Sequence, residues 1–410
     1  MERVMAKKKN MMIAQSGGPT SVINASIVGA FDAAMDLGFD NIYAANQGIE
    51  GVLNDEIIDL KAVDRRIIEG LKYTPSAGLG SCRHKMSKDI DDPEYKKVFD
   101  MLQKHDVGYF FYNGGNDSMD TTDKLNDYAV KHGLDIKVMG IPKTIDNDLV
   151  GTDHCPGFGS AAKYLNTTLS VAAYDCYTYT TPTIILMETM GRHAGWLAAS
   201  TACAKYDGKK IADRIYLPEA VFDLDDFLKD TEKLFKEKGM VFLVVSEGIK
   251  DKNGEFLLAG ESVNDKFGHA QLGGVSNFLM EKISESITPR CKVINPNIIQ
   301  RCAMHVVSET DWKETYDVGY MAVKQANEGM SGYMIGYERV QDDPYVVKYN
   351  TVPLSSVANA EKTVPQEWIV DGKDVSEDVV TYTKPLMEGE VALRHKDGLP
   401  VFERLPRKFI

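Results

Sequence analysis

Short apolar runs recur along the chain at Met11–Ala14, Val107–Tyr112, Ile136–Ile141, Thr183–Met187 and Met240–Val245, each followed by glycine-rich residues and then by helical spacing. That rhythm predicts repeated strand, loop and helix units. The first helix is the clearest: Ile23, Ile27, Ala30, Phe31 and Ala34 share one face at 3.6 residues per turn, from Pro19 onward. Val107–Tyr112 and Met240–Val245 are continuous rather than alternating, the pattern of strands covered on both faces. Parallel, doubly wound sheets are therefore expected. Ser16-Gly17-Gly18 and Asn113-Gly114-Gly115 each end a strand and lead into a helix, a loose internal repeat. Asp213–Lys238 is charge-rich, with Phe222, Phe227, Leu228 and Leu234 as its buried side, and predicts an outer helix and the loop leading into it. No long Pro/Ser linker divides the chain, so its domains must pack closely or exchange segments.

Length sets the scale: 410 residues suggest two or three domains at roughly 100–200 residues each. Apolar residues are 43% and charged residues 26%, which excludes wholesale disorder, and no run approaches the roughly 18 apolar residues of a membrane span. The formal net charge is −13, so the average field repels nucleic acid and anionic membranes. An anionic substrate must therefore meet a local cationic patch. Cys82, Cys155, Cys176, Cys203, Cys291 and Cys302 are widely spaced without a Cys-x-x-Cys pair. This disfavours a zinc site and a disulfide framework and fits a reducing cytosol. Met1 to Asn10 carries Arg3 and Lys7 to Lys9 with no apolar segment ahead of Met11, so no secretory signal is expected.

Five strand ends carry candidate chemistry. At Ser16-Gly17-Gly18-Pro19-Thr20 the glycines would let backbone approach an anion at a helix N-terminus, although the same residues also suit a plain tight connection. Asn113-Gly114-Gly115-Asn116-Asp117-Ser118 adds an amide, a carboxylate and a hydroxyl where α/β sheets hold ligands; a capped turn is the competing reading. Pro142-Lys143-Thr144-Ile145-Asp146-Asn147-Asp148 is the most informative. One carboxylate there could take the proton of an attacking hydroxyl, another could organise metal-bound water, and the lysine could neutralise developing phosphate charge. Glu188-Thr189-Met190-Gly191-Arg192-His193 offers Arg192 to a phosphate or sugar, or to Glu188 as a structural pair. In Ser246-Glu247-Gly248 the carboxylate suits a helix cap or sugar hydroxyls equally.

Taken in this order, from about Met11 to Gly332, these stretches resemble the phosphofructokinase family. The resemblance implies two Rossmann-like, three-layer α/β domains with mostly parallel sheets and an active site in the cleft between them. A donor domain is expected at 1–157 plus about 271–320, and a sugar-phosphate domain at 158–270 plus about 321–410. It also implies that Asp146 is the catalytic base and that Thr144, Ile145, Met190, Gly191, Arg192 and Glu247 bind the sugar phosphate. Gly18, Arg83, Gly115 and Ser118 fall on donor contacts. Family arginines that grip the sugar 6-phosphate fall on Thr183, Val263 and Leu272 here, so Arg301, in a stretch with Ile298 at a family tyrosine, is the expected anchor. Lys266 or His269 would be its substitutes. Effector-site arginines fall on Val28 and Asp32.

Donor choice turns on two positions. ATP-using members read Gly-Gly-Asp-Gly-Ser and Pro-Gly-Thr-Ile-Asp, whereas this chain has Asp117 and Lys143 at the variable glycines. That resembles the pyrophosphate-dependent branch. A carboxylate at Asp117 would stand where a nucleotide α-phosphate goes, and like charges about 4 Å apart cost roughly 4 kcal/mol at an effective dielectric near 20. Lys143 would instead stabilise the departing phosphate. Asn116 replaces the family's metal-associated aspartate, so magnesium would be held by the donor phosphates, water, Asn116 and Asp148. The expectation is reversible transfer from pyrophosphate to fructose 6-phosphate in a cytoplasmic homodimer or homotetramer, with no nucleic-acid or membrane partner. The alternatives are an ATP-dependent or sedoheptulose 7-phosphate kinase of the same fold, or a non-catalytic sugar-phosphate-binding subunit. Gly336 to Ile410, with Trp368, reads only as packing and surface.

Overall fold

The computed structural model describes residues 10–258, 273–358 and 360–410. Five strands come first: β1 (Asn10–Gln15), β2 (Ile42–Ala45), β3 (Ile57–Asp59), β4 (Val107–Gly114) and β5 (Lys137–Pro142). β6 (Thr183–Thr189) is followed by a small hairpin of β7 (Lys205–Tyr206) and β8 (Lys209–Lys210), then by β9 (Arg214–Tyr216) and β10 (Met240–Ser246). β11 (Cys291–Ile294), β12 (Tyr333–Asp342) and β13 (Tyr345–Pro353) follow.

They form a seven-stranded sheet in the order β13-β12-β5-β4-β1-β2-β3 and a four-stranded sheet in the order β11-β6-β10-β9. Pairing is parallel throughout the smaller sheet. In the larger it is antiparallel only at β12–β13 and β2–β3. Both sheets are covered on two faces, as the continuous apolar runs require. In β1, Met11 and Ile13 enter the core under helices Ile23–Asp36 and Glu309–Asn327, while Met12 and Ala14 enter the core under helix Pro93–Lys104. In β6 and β10, Ile185, Met187, Phe242 and Val244 face helix Phe158–Cys176, and Ile184, Leu186, Val241 and Leu243 face helix Leu224–Lys238.

The segment exchange differs from the expected boundaries. Helix Val275–Ser286 and β11 belong to the smaller sheet, with β11 paired to β6. The chain returns to the larger sheet through helix Glu309–Asn327, β12 and β13, so residues up to 353 complete that unit. Beyond it, Val364, Val375, Val379, Tyr382 and Leu386 pack into the second unit's core. The last residues go back to the first, where Ile410 N donates to Ile57 O. The physical reason is edge pairing: β5 offers an open edge, and Tyr333 and Met334 pair with Met139 and Gly140 there. The predicted outer helix is Leu224–Lys238, N-capped by Asp223, and the expected loop ahead of it holds β9.

Every motif singled out above lies just beyond the carboxyl end of a strand: β1, β4 and β5 in one sheet, β6 and β10 in the other. This is where open α/β sheets bind ligands.

Candidate active site

At the end of β1, Gly17 takes φ +77°, a left-handed turn that favours glycine. Gly17 N donates to Cys82 O at 3.1 Å and Ser81 Oγ to Gly17 O at 2.6 Å, which stitches the Arg83 loop to this turn. Ser16 N donates to Asn113 O at 2.8 Å, binding the turn to β4 as well. Beyond β4, helix Asn116–Lys131 starts with Asp117 in its first turn, and buried Ser118 packs so closely under Gly114 that a Cβ there would meet its Oγ at 2.1 Å.

β5 delivers the Pro142–Asp148 loop into the same space. Lys143 N donates to Gly114 O at 3.0 Å, Thr144 N to Pro156 O at 3.1 Å, and Asp146 N to Thr144 Oγ1 at 3.1 Å. The Lys143 side chain is buried and its ammonium points at the Gly17 turn, where a Cβ would come within 3.0 Å of Nζ. Arg301 reaches the same turn from the second unit: a Cβ on Gly18 would lie 3.4 Å from its Nη1. The predicted sugar 6-phosphate anchor thus stands beside Gly18, a predicted donor contact, and Ile298 at the start of its helix is exposed.

The second unit supplies the opposite wall. Gly191, at φ +137°, donates its N–H to Glu247 Oε1 at 3.4 Å and accepts from Ser246 Oγ at 2.5 Å. The Met-Gly-Arg and Ser-Glu-Gly stretches therefore form one surface. Met190 N donates to Gln300 Oε1 at 2.9 Å, joining it to the Arg301 segment. Glu188 does not pair with Arg192. It caps helix Val275–Ser286, accepting from Gly274 N at 3.0 Å and from Ser276 N and Oγ at 2.8 and 2.6 Å. Arg192 Nε is left buried without a hydrogen-bond partner. Glu247 is likewise no helix cap, being held to Gly191.

Burial and mutual charge set the protonation of these groups. Burial lifts the Asp146 carboxyl above the usual carboxylate range, opposed by Lys143, Arg192 and Arg301. Burial, then repulsion from Asp146, pushes Asp148 up to about 7 and Glu247 to about 7. Burial pulls the Lys143 ammonium down to about 8, with Arg301 and Arg83 adding to the fall and Asp146 and Asp148 resisting it. Burial and Arg83 also lower Arg301. Four cations, Lys143, Arg83, Arg192 and Arg301, and three carboxyls, Asp146, Asp148 and Glu247, thus feel one another across a single cleft, the local cationic patch that an acidic chain needs for an anion.

Of the residues named for other roles, Thr183 begins β6, at the opposite end from the cleft. Val263, Lys266, His269 and Leu272 lie outside the described residues. Val28 is buried, and Asp32 pairs with Arg65 at 2.5 Å. Asn116 donates its amide to Ala360 O.

A phosphofructokinase profile matches residues 10–324. The chain belongs to the phosphofructokinase family. Within that family it is 40% identical over 401 residues to the pyrophosphate–fructose 6-phosphate 1-phosphotransferase of Xanthomonas campestris pv. campestris (strain B100), covering 97% of this chain and 96% of that one. The protein of the same name from Methylococcus capsulatus (strain ATCC 33009 / NCIMB 11132 / Bath) is 39% identical over 404 residues, with 97% and 96% covered. Among solved structures, the pyrophosphate-dependent phosphofructokinase of Nitrosospira multiformis superposes with a TM-score of 0.89 at 37% identity, covering 98% of each chain. The phosphofructokinase fold therefore extends over the C-terminal part, where the sequence pattern is silent.

That part also holds what the motifs do not reveal. Asn147, between the two aspartates, has φ +57°. Its Oδ1 accepts from Cys155 N at 2.9 Å and its Nδ2 donates to Tyr382 Oη at 2.8 Å. Lys362 N donates to Asp148 O at 2.7 Å. No local pattern distinguishes Lys362 or Tyr382 from surface and packing residues. Only the requirement that a left-handed asparagine be held hints at partners elsewhere.

Proposed function

We propose that this chain transfers a phosphoryl group reversibly from pyrophosphate to the 1-hydroxyl of fructose 6-phosphate. The observation that carries the reading is the convergence of Lys143 and Arg301 on the Gly17–Gly18 turn, with Arg83, whose loop is tied to Gly17, and Asp146 within electrostatic reach of both. A compact, highly charged pyrophosphate suits that cluster, and Asp117 in the first turn beyond Gly115 disfavours the longer nucleotide chain. The names of the similar proteins point the same way.

In this reading Gly191, Arg192 and Glu247 hold the sugar phosphate against the loop, with Met190, Thr144 and Ile145 lining it. Asp146 accepts the proton of the attacking hydroxyl, and its burial makes it more basic than an ordinary carboxylate. Lys143 and Arg83 take up charge on the departing phosphate. Arg301, lying at Gly18, acts on the group in transfer rather than on the distant 6-phosphate.

The loop also suits magnesium: Asp148 Oδ1 is buried without a hydrogen-bond partner. Among the described residues no three His, Cys, Asp or Glu side chains are grouped to hold a metal, so Asp148 and the Asn116 carbonyl would share it with phosphate oxygens and water. When bound, the ion neutralises charge on the phosphates. The reading further includes a homodimer or homotetramer acting in the cytoplasm. No helix among the described residues is long and apolar enough to cross a membrane.

A coupled assay crossing pyrophosphate and ATP with fructose 6-phosphate and sedoheptulose 7-phosphate tests the proposal. Turnover should be greatest with pyrophosphate and fructose 6-phosphate and should run in both directions. Preference for ATP or the larger sugar would favour a sister kinase, and no turnover with any pair would favour a binding subunit.

A further inference from the structure

The segment Ala360–Val364 crosses the mouth of the catalytic loop and touches both units. Asn116 donates to Ala360 O, and Lys362 N to Asp148 O at 2.7 Å, on the first. Trp196 Nε1 donates to Lys362 O at 2.9 Å and Val364 N to Glu219 Oε1 at 2.9 Å, on the second. His193 Nδ1 meets Glu361 Oε1 at 2.9 Å.

The Lys362 side chain turns inward from this strap. Its ammonium donates to Asp153 O at 2.6 Å, Thr152 O at 3.2 Å and Asn147 Oδ1 at 3.4 Å, and lies 5.4 Å from the centre of the Trp196 ring. Tyr382 completes the arrangement from the second unit's core: its hydroxyl accepts from Asn147 Nδ2 at 2.8 Å and donates to Asp153 O at 2.6 Å. Tyr382 thus holds Nδ2 of Asn147, while Oδ1 accepts from Cys155 N at 2.9 Å and from Lys362 as a second donor, and both C-terminal residues pin the 152–153 turn as well.

Asn147 has to be held. Its side chain is fully buried, so both ends of the amide need partners, and the left-handed backbone at φ +57°, which asparagine tolerates, is fixed along with them. Its backbone sets the directions of Asp146 and Asp148 on either side. An error of about 1 Å at a reacting group is enough to cost on the order of 100-fold in rate.

We propose that Lys362 is a positioning residue for this chemistry, acting with Tyr382 to lock Asn147 and so aim Asp146 at the sugar hydroxyl. The proposal rests on the reading of Asp146 as the base. It also gives a role to a part of the chain that lies beyond the motif-bearing region.

The test compares Lys362→Met, Tyr382→Phe, their double variant and Asp146→Asn in the full-length protein, by steady-state kinetics with pyrophosphate and fructose 6-phosphate. Lys362→Met keeps the length of the side chain and removes the ammonium. Tyr382→Phe keeps the ring in its packing against Trp196, Trp368 and Phe158. Each single variant should lower kcat about 10- to 100-fold while KM for fructose 6-phosphate moves less than about threefold. Because both act through Asn147, the double variant should be far less impaired than the product of the singles. A kcat within threefold of wild type in either folded variant, or equal losses in kcat and sugar affinity, overturns the proposal. If Lys362→Met does not fold, Tyr382→Phe alone decides by the same criteria. If Asp146→Asn keeps its activity, the base assignment fails instead, and the two failures are distinguishable.

Discussion

Asp146 sits among Lys143, Arg192 and Arg301 in a pocket that burial makes hostile to its charge. Asp146→Asn keeps the shape and removes the proposed base, so kcat should fall by roughly 10²–10⁴-fold with little change in sugar affinity. A kcat within tenfold of wild type would show that another group takes the proton. Arg301→Ala should cost about 1.5–3 kcal/mol in kcat/KM, the worth of a charge-assisted bond. Since Nη1 stands at Gly18, the larger change should be in KM for pyrophosphate. A change confined to KM for fructose 6-phosphate would restore the 6-phosphate role expected from sequence. In the proposed reading Asp117 and Lys143 act on the same donor, so their substitutions should be non-additive. Asp117→Gly should allow or raise ATP use, while Lys143→Gly should chiefly damage the pyrophosphate reaction; donor-specific kcat/KM values for both singles and the double variant check this.

Among the elements, helices Ile23–Asp36 and Glu309–Asn327 approach unusually closely because two glycines meet backbone. A Cβ on Gly29 would lie 2.0 Å from Tyr316 O, and one on Gly319 1.9 Å from Ser26 O. Gly319→Val should therefore force the helices apart and cost about 1–3 kcal/mol or more, read as a lower denaturant midpoint. An unchanged midpoint would mean that the two helices separate without loss.

The helix over Ile23–Asp36 was legible because its apolar face repeats within a few turns. Its partner was not, since Gly319 carries no signal until the fold brings Ser26 against it. The same distinction holds at the site. Lys143, Asp146 and Asp148 lie in one loop after an apolar strand, and local density announces their chemistry. Arg301 was found through its neighbours in sequence, yet the unit it reaches toward, and so its place beside Gly18, depends on domain packing. Lys362 and Tyr382 are more than 200 residues from Asn147. The boundary of the first unit differs from the expected one for a related reason: nothing in Tyr333–Pro353 says which open sheet edge it will pair with.

For the whole molecule, the acidic composition and the cationic cleft are two sides of one arrangement, and its cost shows in pH dependence. Asp148 rises from 3.8 to about 7 and Glu247 from 4.5 to about 7 on folding. Between these values the folded chain binds more protons than the unfolded one, so their contribution to stability is present at low pH and is lost as pH rises through about 7. Asp148→Asn removes one such group. Its melting temperature relative to wild type should climb between pH 5 and pH 8, by a few degrees at about 1.4 kcal/mol per pKa unit. A difference that is flat with pH, measured by thermal melts of ligand-free protein, would mean that Asp148 is not held protonated.

With Lys143 and Arg301 at the Gly17–Gly18 turn, Arg83 within electrostatic reach of both and Asp117 as a barrier, the proposed donor is pyrophosphate rather than ATP. The most direct test is kcat/KM of the wild-type protein for the two donors side by side, at saturating fructose 6-phosphate and magnesium. Efficient turnover is expected with pyrophosphate and little or none with ATP; a higher kcat/KM for ATP would overturn the assignment of the donor.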